Sequence, residues 1–417
     1  MGQFKSVFLQ TLEDRGFTKQ ITHSDALDAY CANGTPIGYI GFDATADSLH
    51  VGHLMQIMML RHLQRCGGKP IVLMGGGTTK IGDPTDKEKS RPLLTNEQIA
   101  DNIAGIRKAF EPFLKFGDGP TDAVIVNNAD WLDKLSYIEV LRDIGVHFTI
   151  NTMVKQETVA RRLENEQPYT FLEFNYLLLQ SYDFLELFRR QNCRLQLGGS
   201  DQWGNILGGV DLVHKADSGD VFGLTAHLIT TASGGKMGKT ADGAVWLNPD
   251  RKSPYEYWQF WRNTEDADVG RFLRLFTDLP IQEIETLEAL DGAEINAAKI
   301  ALANAATSLM HGKDAATEAE RAASAVFGSG QTDEAMPTTE IPRAELVNGM
   351  LAAAAFQAAN LSKSNGEARR LIKQGAARVN DKLLNDQNAQ ITESDLNEDG
   401  TLKLSAGKKR HALIRAV

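Results

Sequence analysis

Two short motifs in this chain carry groups that can grip phosphate. His50-Val51-Gly52-His53 stands where a strand-like run gives way to a helical one, and Lys236-Met237-Gly238-Lys239-Thr240 follows Ser233-Gly234-Gly235 in mid-chain. At a helix start the first amides lack intrahelical acceptors, and the helix dipole favours an anion. Two imidazoles about one turn apart can face one phosphate chain, and Gly52 lets a nucleotide lie against the backbone. The same pair also fits a surface turn, or half of a metal site whose other ligands are not evident nearby. The second motif supplies two ammonium groups. Its Gly238-Lys239-Thr240 ending matches the close of a P-loop, but Ser233 occupies the position of that motif's first glycine. A solvated basic loop is the alternative.

Between these motifs, Tyr176, Gln180 and Asp183 are spaced i, i+4 and i+7 and share one helical face. Phe171, Phe174, Leu178, Leu185 and Phe188 surround them with apolar material, which predicts a partly enclosed polar pocket. A half-exposed amphipathic face would also give this pattern. A buried, unpaired Asp183 would be costly as a purely structural element.

These residues need a frame. Ile37–Phe42, Ile71–Met74, Ala123–Val126 and Arg194–Leu197 read as strands, and 52–65, 95–114, 136–144 and 202–214 as helices. The alternation predicts an α/β fold with a Rossmann-like parallel sheet, whose ligands lie beyond the carboxyl ends of the strands. Residues 253–327 are helical in pattern. A stretch of linker composition covers 328–342. Beyond it, Ser364 and Glu367 form a capping-box pattern, Gly375 suits a helix end, and Arg378-Val379 and Lys382-Leu383-Leu384 read as strands around Asn380-Asp381. The expected divisions are a catalytic domain over 1–245, an α-helical domain over 246–327, a linker over 328–342 and a small α+β domain over 343–417.

Composition limits the function. The 417 residues carry a net charge of -10, yet basic residues outnumber acidic ones beyond 343. That asymmetry suggests a polyanion-binding module on an acidic body. No apolar run approaches the ~18 residues of a membrane span. Cys31, Cys66 and Cys193 lack metal-ligand spacing, so no disulfide framework or zinc site is expected.

The segment from Tyr39 to His53, with Lys236 to Thr240, resembles the two signatures of the class I aminoacyl-tRNA synthetases. The closer resemblance is to the bacterial tyrosyl-tRNA synthetase family. It extends through Gly82-Asp83-Pro84 to Arg91, Tyr176 to Asp183, and Gln196-Leu-Gly-Gly-Ser-Asp201-Gln202-Trp203-Gly204-Asn205. The resemblance implies ATP-dependent attachment of L-tyrosine to tRNA(Tyr) through a tyrosyl-adenylate, with release of pyrophosphate and AMP. It implies that Tyr39 and Asp183 bond the phenol, while Tyr176, Gln180 and Asp83 hold the ammonium. The same resemblance implies that Gln202 also contacts the substrate and that Gly41, Asp43, Gly52, Gly199, Asp201 and Lys239 contact ATP or the adenylate. It implies that His50, His53, Thr45, Lys87, Arg91, Lys236 and Lys239 steady the phosphates, with Mg2+ as the accompanying ion and no structural metal. The C-terminal segment resembles a ribosomal S-four-type RNA-binding domain, which implies RNA contacts at Arg369, Arg370, Lys373 and Arg378. Lys408-Lys409-Arg410 extends the same basic surface. A homodimeric, cytoplasmic protein without a membrane association is implied as well. The competing readings are a tryptophanyl-tRNA synthetase, a non-catalytic RNA-binding paralogue and a small-molecule nucleotidyltransferase.

Overall fold

The computed structural model describes residues 4–85, 93–235, 237–240, 243–328, 336–347, 349–397, 399–407 and 410–417, with 239–240 and 325–328 described by backbone alone. Contacts divide the chain into two compact units, Met1–Arg251 with Thr264–Ala298, and Lys252–Asn263 with Lys299–Val417. Among the described residues no helix is long and apolar enough to cross a membrane.

The first unit is built on strands β1 (Thr18–Ile21), β2 (Ile37–Phe42), β3 (Lys69–Met74), β4 (Val124–Asn127), β5 (Leu195–Gly199) and β6 (Phe222–Ala226), in the order β1-β6-β5-β2-β3-β4. Strands β2 to β6 run parallel, and β1 adds an antiparallel edge on β6. The chain winds one way from β2 through β3 to β4 and the other way through β5 to β6. A crevice therefore opens at the carboxyl ends of β2 and β5, the switch point where such sheets bind ligands. β3 and β5 are buried almost throughout, which explains their unbroken apolar runs.

Four helices matter to the site: α1 (Val51–Arg65), α2 (Asn96–Lys108), α3 (Tyr176–Gln191) and α4 (Trp203–Asp217). α1 buries Val51, Leu54, Met55, Ile57, Met58, Met59, Leu60 and Leu63, so it is fixed along most of its circumference. α2 starts at a capping box made by Thr95 and Gln98, shorter than the sequence pattern suggested because the chain turns at Ala109 and Phe110 into the core. Within 136–144 a short α-turn passes into a π-helical turn, Val140–Ile144, rather than a regular helix.

The carboxyl end of α1 is tied to the segment after residue 264. Arg61 donates to both Asp278 carboxylate oxygens, and Arg65 pairs with the same group. Arg15 donates to the carbonyls of Arg274, Thr277 and Leu279 at 3.0, 2.8 and 2.7 Å. His62 is enclosed beside these cations and against Phe17; burial, with Arg15 adding to it, pushes its pKa down to about 3.

In the second unit, α5 (Pro254–Arg262) opens on a Ser253–Glu256 capping box with Pro254 in its first turn. It carries the buried rings of Tyr255, Tyr257, Trp258 and Trp261. The Trp258 indole donates to Asn304 in α7 (Ile295–His311), and Asn304 donates to Glu320 in α8 (Lys313–Gly328). The C-terminal part has β9 (Thr338–Ile341), β10 (Ala377–Val379), β11 (Lys382–Leu383), β12 (Thr401–Ala406) and β13 (Arg410–Ala416), ordered β11-β10-β12-β13-β9. Thr338–Ile341, inside the stretch of linker composition, pairs in parallel with β13. Helices α9 (Ala352–Ala358) and α10 (Asn365–Lys373) pack Phe356, Ala368 and Ile372 with Leu402 and Leu404 of the sheet. The turn between β10 and β11 is made by Asn380 and Asp381 at φ 45° and 64°, the conformation that favours such residues in two-residue hairpins.

Replacing Arg15 by Ala leaves three carbonyls without their cationic donor. The expected loss is about 2 to 4 kcal/mol of unfolding free energy, read from the midpoint shift in urea titrations.

Candidate active site

The two signature motifs meet through backbone. Val51 N–H donates to the Val245 carbonyl at 2.9 Å, Val245 N–H to the Gly238 carbonyl at 3.0 Å, and Leu247 N–H to the Leu49 carbonyl at 2.8 Å. His50 also bridges to Trp246. The second motif continues as β7 (Lys239–Thr240), paired antiparallel with β8 (Gly243–Ala244). Gly238 has φ +84°, and a Cβ there would stand 2.8 Å from the Gly52 amide nitrogen. A Cβ at Gly52 would strike the His50 ring and approach the Met237 carbonyl at 3.1 Å. Both glycines are required by this close approach.

The imidazoles act differently from the sequence argument. His50 Nδ1 accepts the Gly52 amide at 3.0 Å, and His53 Nδ1 accepts the His50 amide at 3.3 Å, a capping box made from histidines. The amides of Val51 and His53 are taken by Val245 and His50 carbonyls. The first-turn amides assigned to phosphate from the sequence are therefore occupied. Because each Nδ1 accepts a hydrogen bond from an amide, the neutral ring carries its own proton on Nε2.

A cavity of about 480 Å3 lies at the switch point. It is lined by Tyr39, Gly41, Asp43, Thr45, His50 and His53 from β2 and the turn after it. Asp83, Tyr176, Gln180, Asp183, Gly199, Asp201 and Gln202 complete the expected residues along its wall. Lys87, Arg91 and Lys236 lie outside the described residues, as do Lys408 and Lys409, and the side chain of Lys239 is not among those described.

One end of the cavity is closed and polar. Asp183, 2% exposed, accepts the Trp131 indole N–H at 2.8 Å and the Asn128 amide at 2.9 Å. Burial raises its pKa to about 7 against these two hydrogen bonds, which pull it down. Asn128 is itself fixed: its oxygen accepts Gly77 N–H at 2.7 Å, and its nitrogen also donates to Thr78 Oγ1, which donates to Asp43. The Tyr39 hydroxyl is buried without a hydrogen-bond partner among the described residues. Its ring meets Phe184 edge-on at 5.3 Å, and burial, with the Asp183 charge, holds the phenol protonated well above its usual range.

A second polar group sits at the other end of the α3 face. Gln180 donates to Gln202 at 3.3 Å, Gln202 donates to Asp83 at 2.8 Å, and Asn205 donates to Gln202 and Thr85. Tyr176 lines the same wall. Asn128, Trp131 and Thr78 were missed from the sequence. Asn128 was available to it, since it directly follows β4, where residues beyond a parallel strand face the ligand. Trp131 and Thr78 come from short helical turns that no periodicity reveals.

In the second unit, Arg369, Arg370 and Lys373 are exposed on α10, and Arg378 is exposed on β10, donating to the Asp381 carbonyl.

Comparison with known proteins adds what geometry alone leaves general. Residues 32–328 match the family described as tRNA synthetases class I (W and Y). The chain belongs to this class I synthetase family. Residues 330–414 match the Tyrosine--tRNA ligase SYY-like C-terminal domain. Relatives named "Tyrosine--tRNA ligase" include those of Caulobacter sp. (strain K31), 60% identical over 99% of each chain, and Rhodospirillum rubrum, 58% identical over 99% of each chain. A C-terminally truncated mitochondrial tyrosyl-tRNA synthetase of Aspergillus nidulans superposes with a TM-score of 0.70 at 31% identity, over 77% of this chain and 94% of that one. A tyrosyl-tRNA synthetase of Archaeoglobus fulgidus shares the fold at TM-score 0.54 and 17% identity. As a class I synthetase, the chain presents the expected sheet, crevice and second module together.

The Asp183 carboxyl ionises near 3.8 when exposed and near 7 when buried here. Between these values the native state keeps a proton that the unfolded chain has lost. This group's contribution to stability is thus full below about pH 4, falls as pH rises, and is gone above about pH 7. Urea titrations of Asp183→Asn without ligand are expected to show that this part of the decline has vanished relative to the parent.

Proposed function

We infer that this class I synthetase attaches L-tyrosine to tRNA(Tyr) through a tyrosyl-adenylate. The observation that carries the reading is the closed end of the cavity, where a buried, unpartnered Tyr39 hydroxyl and the Asp183 carboxyl stand together. A phenol hydroxyl can donate to Asp183 and accept from Tyr39, whereas a phenyl ring leaves both unsatisfied. Tyr176, Gln180 and Asp83 offer oxygen acceptors to an α-ammonium, with Gln202 bridging them. An amino acid lying along α3 then presents its carboxylate toward Asp43, Thr45 and the signature histidines.

Adenylate formation needs no general base, because the tyrosine carboxylate is already ionised at neutral pH. It attacks the α-phosphorus of ATP, a P–O bond forms, and pyrophosphate leaves with the electron pair of the broken bond. Rate acceleration comes from alignment and from charge stabilisation at the leaving phosphates. We assign that stabilisation to the Nε2–H groups of His50 and His53, to Thr45, and to Lys87, Arg91, Lys236 and Lys239. Gly41, Gly52, Gly199, Asp43 and Asp201 are assigned to the adenosine and ribose. Mg2+ would share the phosphate charge as a counter-ion carried by the triphosphate; among the described residues no group of three or more His, Cys, Asp or Glu side chains is placed to hold a metal. The tyrosyl group then passes to a ribose hydroxyl of the terminal adenosine of tRNA, releasing AMP.

The remaining parts of the reading concern partners and organisation. Arg369, Arg370, Lys373 and Arg378 are assigned to RNA phosphates, supported by their exposure on one small domain. A homodimer is supported by exposed apolar side chains at Tyr137, Ile138, Leu141, Val146 and Ile150, a concentration that marks association surfaces. The reading includes a cytoplasmic location and the domain divisions at 245 and 327, with the C-terminal domain taking in the strand at Thr338–Ile341 from the expected 328–342 linker.

Tyrosine is expected to support ATP–pyrophosphate exchange strongly, and phenylalanine only weakly. Exchange with tryptophan but not tyrosine would overturn the assignment. Replacing both Arg369 and Lys373 by Ala is expected to leave exchange unchanged while weakening tRNA charging, with a shallower dependence on salt.

A further inference from the structure

The second motif is approached through a tight turn that is clamped from outside. Thr231 N–H donates to the Gly235 carbonyl and Gly234 N–H to the Thr231 carbonyl, both at 2.8 Å, and Met237 N–H donates to Ile229. Residues 231–235 thus form a closed turn at the foot of the motif. Three side chains from the segment after Thr264 hold it. Asp268 accepts the Ala232 amide at 2.8 Å, Glu265 accepts the Ser233 hydroxyl at 2.6 Å, and Arg271 donates to the Thr230 carbonyl. Arg271 also pairs with Asp268 at 2.6 Å.

Asp268 is 3% exposed, so its charge is out of water and matched by one cation and one amide. Such a group has few alternative arrangements, because releasing either partner leaves a buried carboxylate unsatisfied. Arg271 and Asp268 together fix both the amide and carbonyl sides of the turn.

The same segment reaches the first motif from behind. α6 (Val269–Phe276) follows Asp268 directly, and Asp278 just beyond it binds Arg61 and Arg65 near the end of α1. The opposite end of α1 bears His50 and His53. Residues 265–278 therefore touch the support of each signature motif, while among the described residues the signatures meet at Gly52, Met237 and Gly238 and along Val245–Leu247.

We propose that Asp268 and Arg271 are positioning residues for adenylate formation, holding the turn at 230–235 so that the second motif stands in register with the first. Neither lines the cavity, so they act through the turn and not on substrate. The proposal rests on the adenylate-forming reading for its kinetic effect, but its structural effect can be read without any substrate.

The test uses the full chain with Arg271→Ala, Arg271→Lys, Asp268→Asn and the double variant Asp268→Asn/Arg271→Ala. The Arg271 side chain is 44% exposed, so its removal opens no core cavity, and this variant carries the test should Asp268→Asn fail to fold. Misplacement of a phosphate-binding segment is expected to lower the exchange rate at saturating tyrosine by about ten- to a hundredfold. Tyrosine affinity, measured by equilibrium dialysis without ATP, should stay within about twofold, because the α3 pocket is untouched. Arg271→Lys should recover much of the rate, and the double variant should be little worse than the more impaired single variant. Limited trypsin digestion of the unliganded protein should cut faster at Lys236 or Lys239 in Arg271→Ala. Unchanged cleavage there overturns the clamp whatever the substrate is. Unchanged exchange kinetics, or tyrosine affinity falling in parallel with the rate, overturns the positioning role.

Discussion

The backbone seam between Leu49–Val51 and Gly238, Val245 and Leu247 is the constraint on which the site depends. It joins two parts of the chain that are far apart in sequence chiefly through backbone, with Ser48 accepting the Asn248 amide and Arg251 pairing with Asp47 at its margin. The imidazoles are thereby left to cap α1 and face the cavity. The seam also demands the two glycines, since a methyl at either would push the strands apart.

The cavity divides its chemistry between the two ends of the Tyr176–Asp183 face of α3. At the closed end, desolvation dominates: Asp183 and Tyr39 are buried, and their proton affinities are set by the lack of water. At the other end, Gln180, Gln202, Asp83 and Asn205 form a mutual hydrogen-bond network with partial exposure. A ligand with a hydroxyl at one tip and an ammonium at the other meets a matching partner at each end. One helix can serve both because three residues at i, i+4 and i+7 span two turns of a single face.

Much of this was legible in the sequence because it follows from periodicity. Four of the five parallel strands were visible as short apolar runs, the one at Phe222–Ala226 being missed, and Tyr176, Gln180 and Asp183 were visible as one helical face. Asn380-Asp381 was visible as a turn and Ser364 as a cap. What remained hidden depends on contacts between distant segments. No local pattern shows that Asn128 and Trp131 hold Asp183, or that Val245 accepts from Val51. The N–H groups at the start of α1 were misread for the same reason: their acceptors come partly from residues almost two hundred positions away. The short turns at 78–80 and 129–132 escaped because they have no room for a repeat to show.

The histidine capping box has a chemical consequence. Each Nδ1 is already an acceptor for an amide proton, so forming an imidazolium would break a cap and loosen the first turn of α1. Cap and tautomer are thereby coupled: the neutral ring that closes the first turn of α1 is also the ring that keeps its own N–H on Nε2.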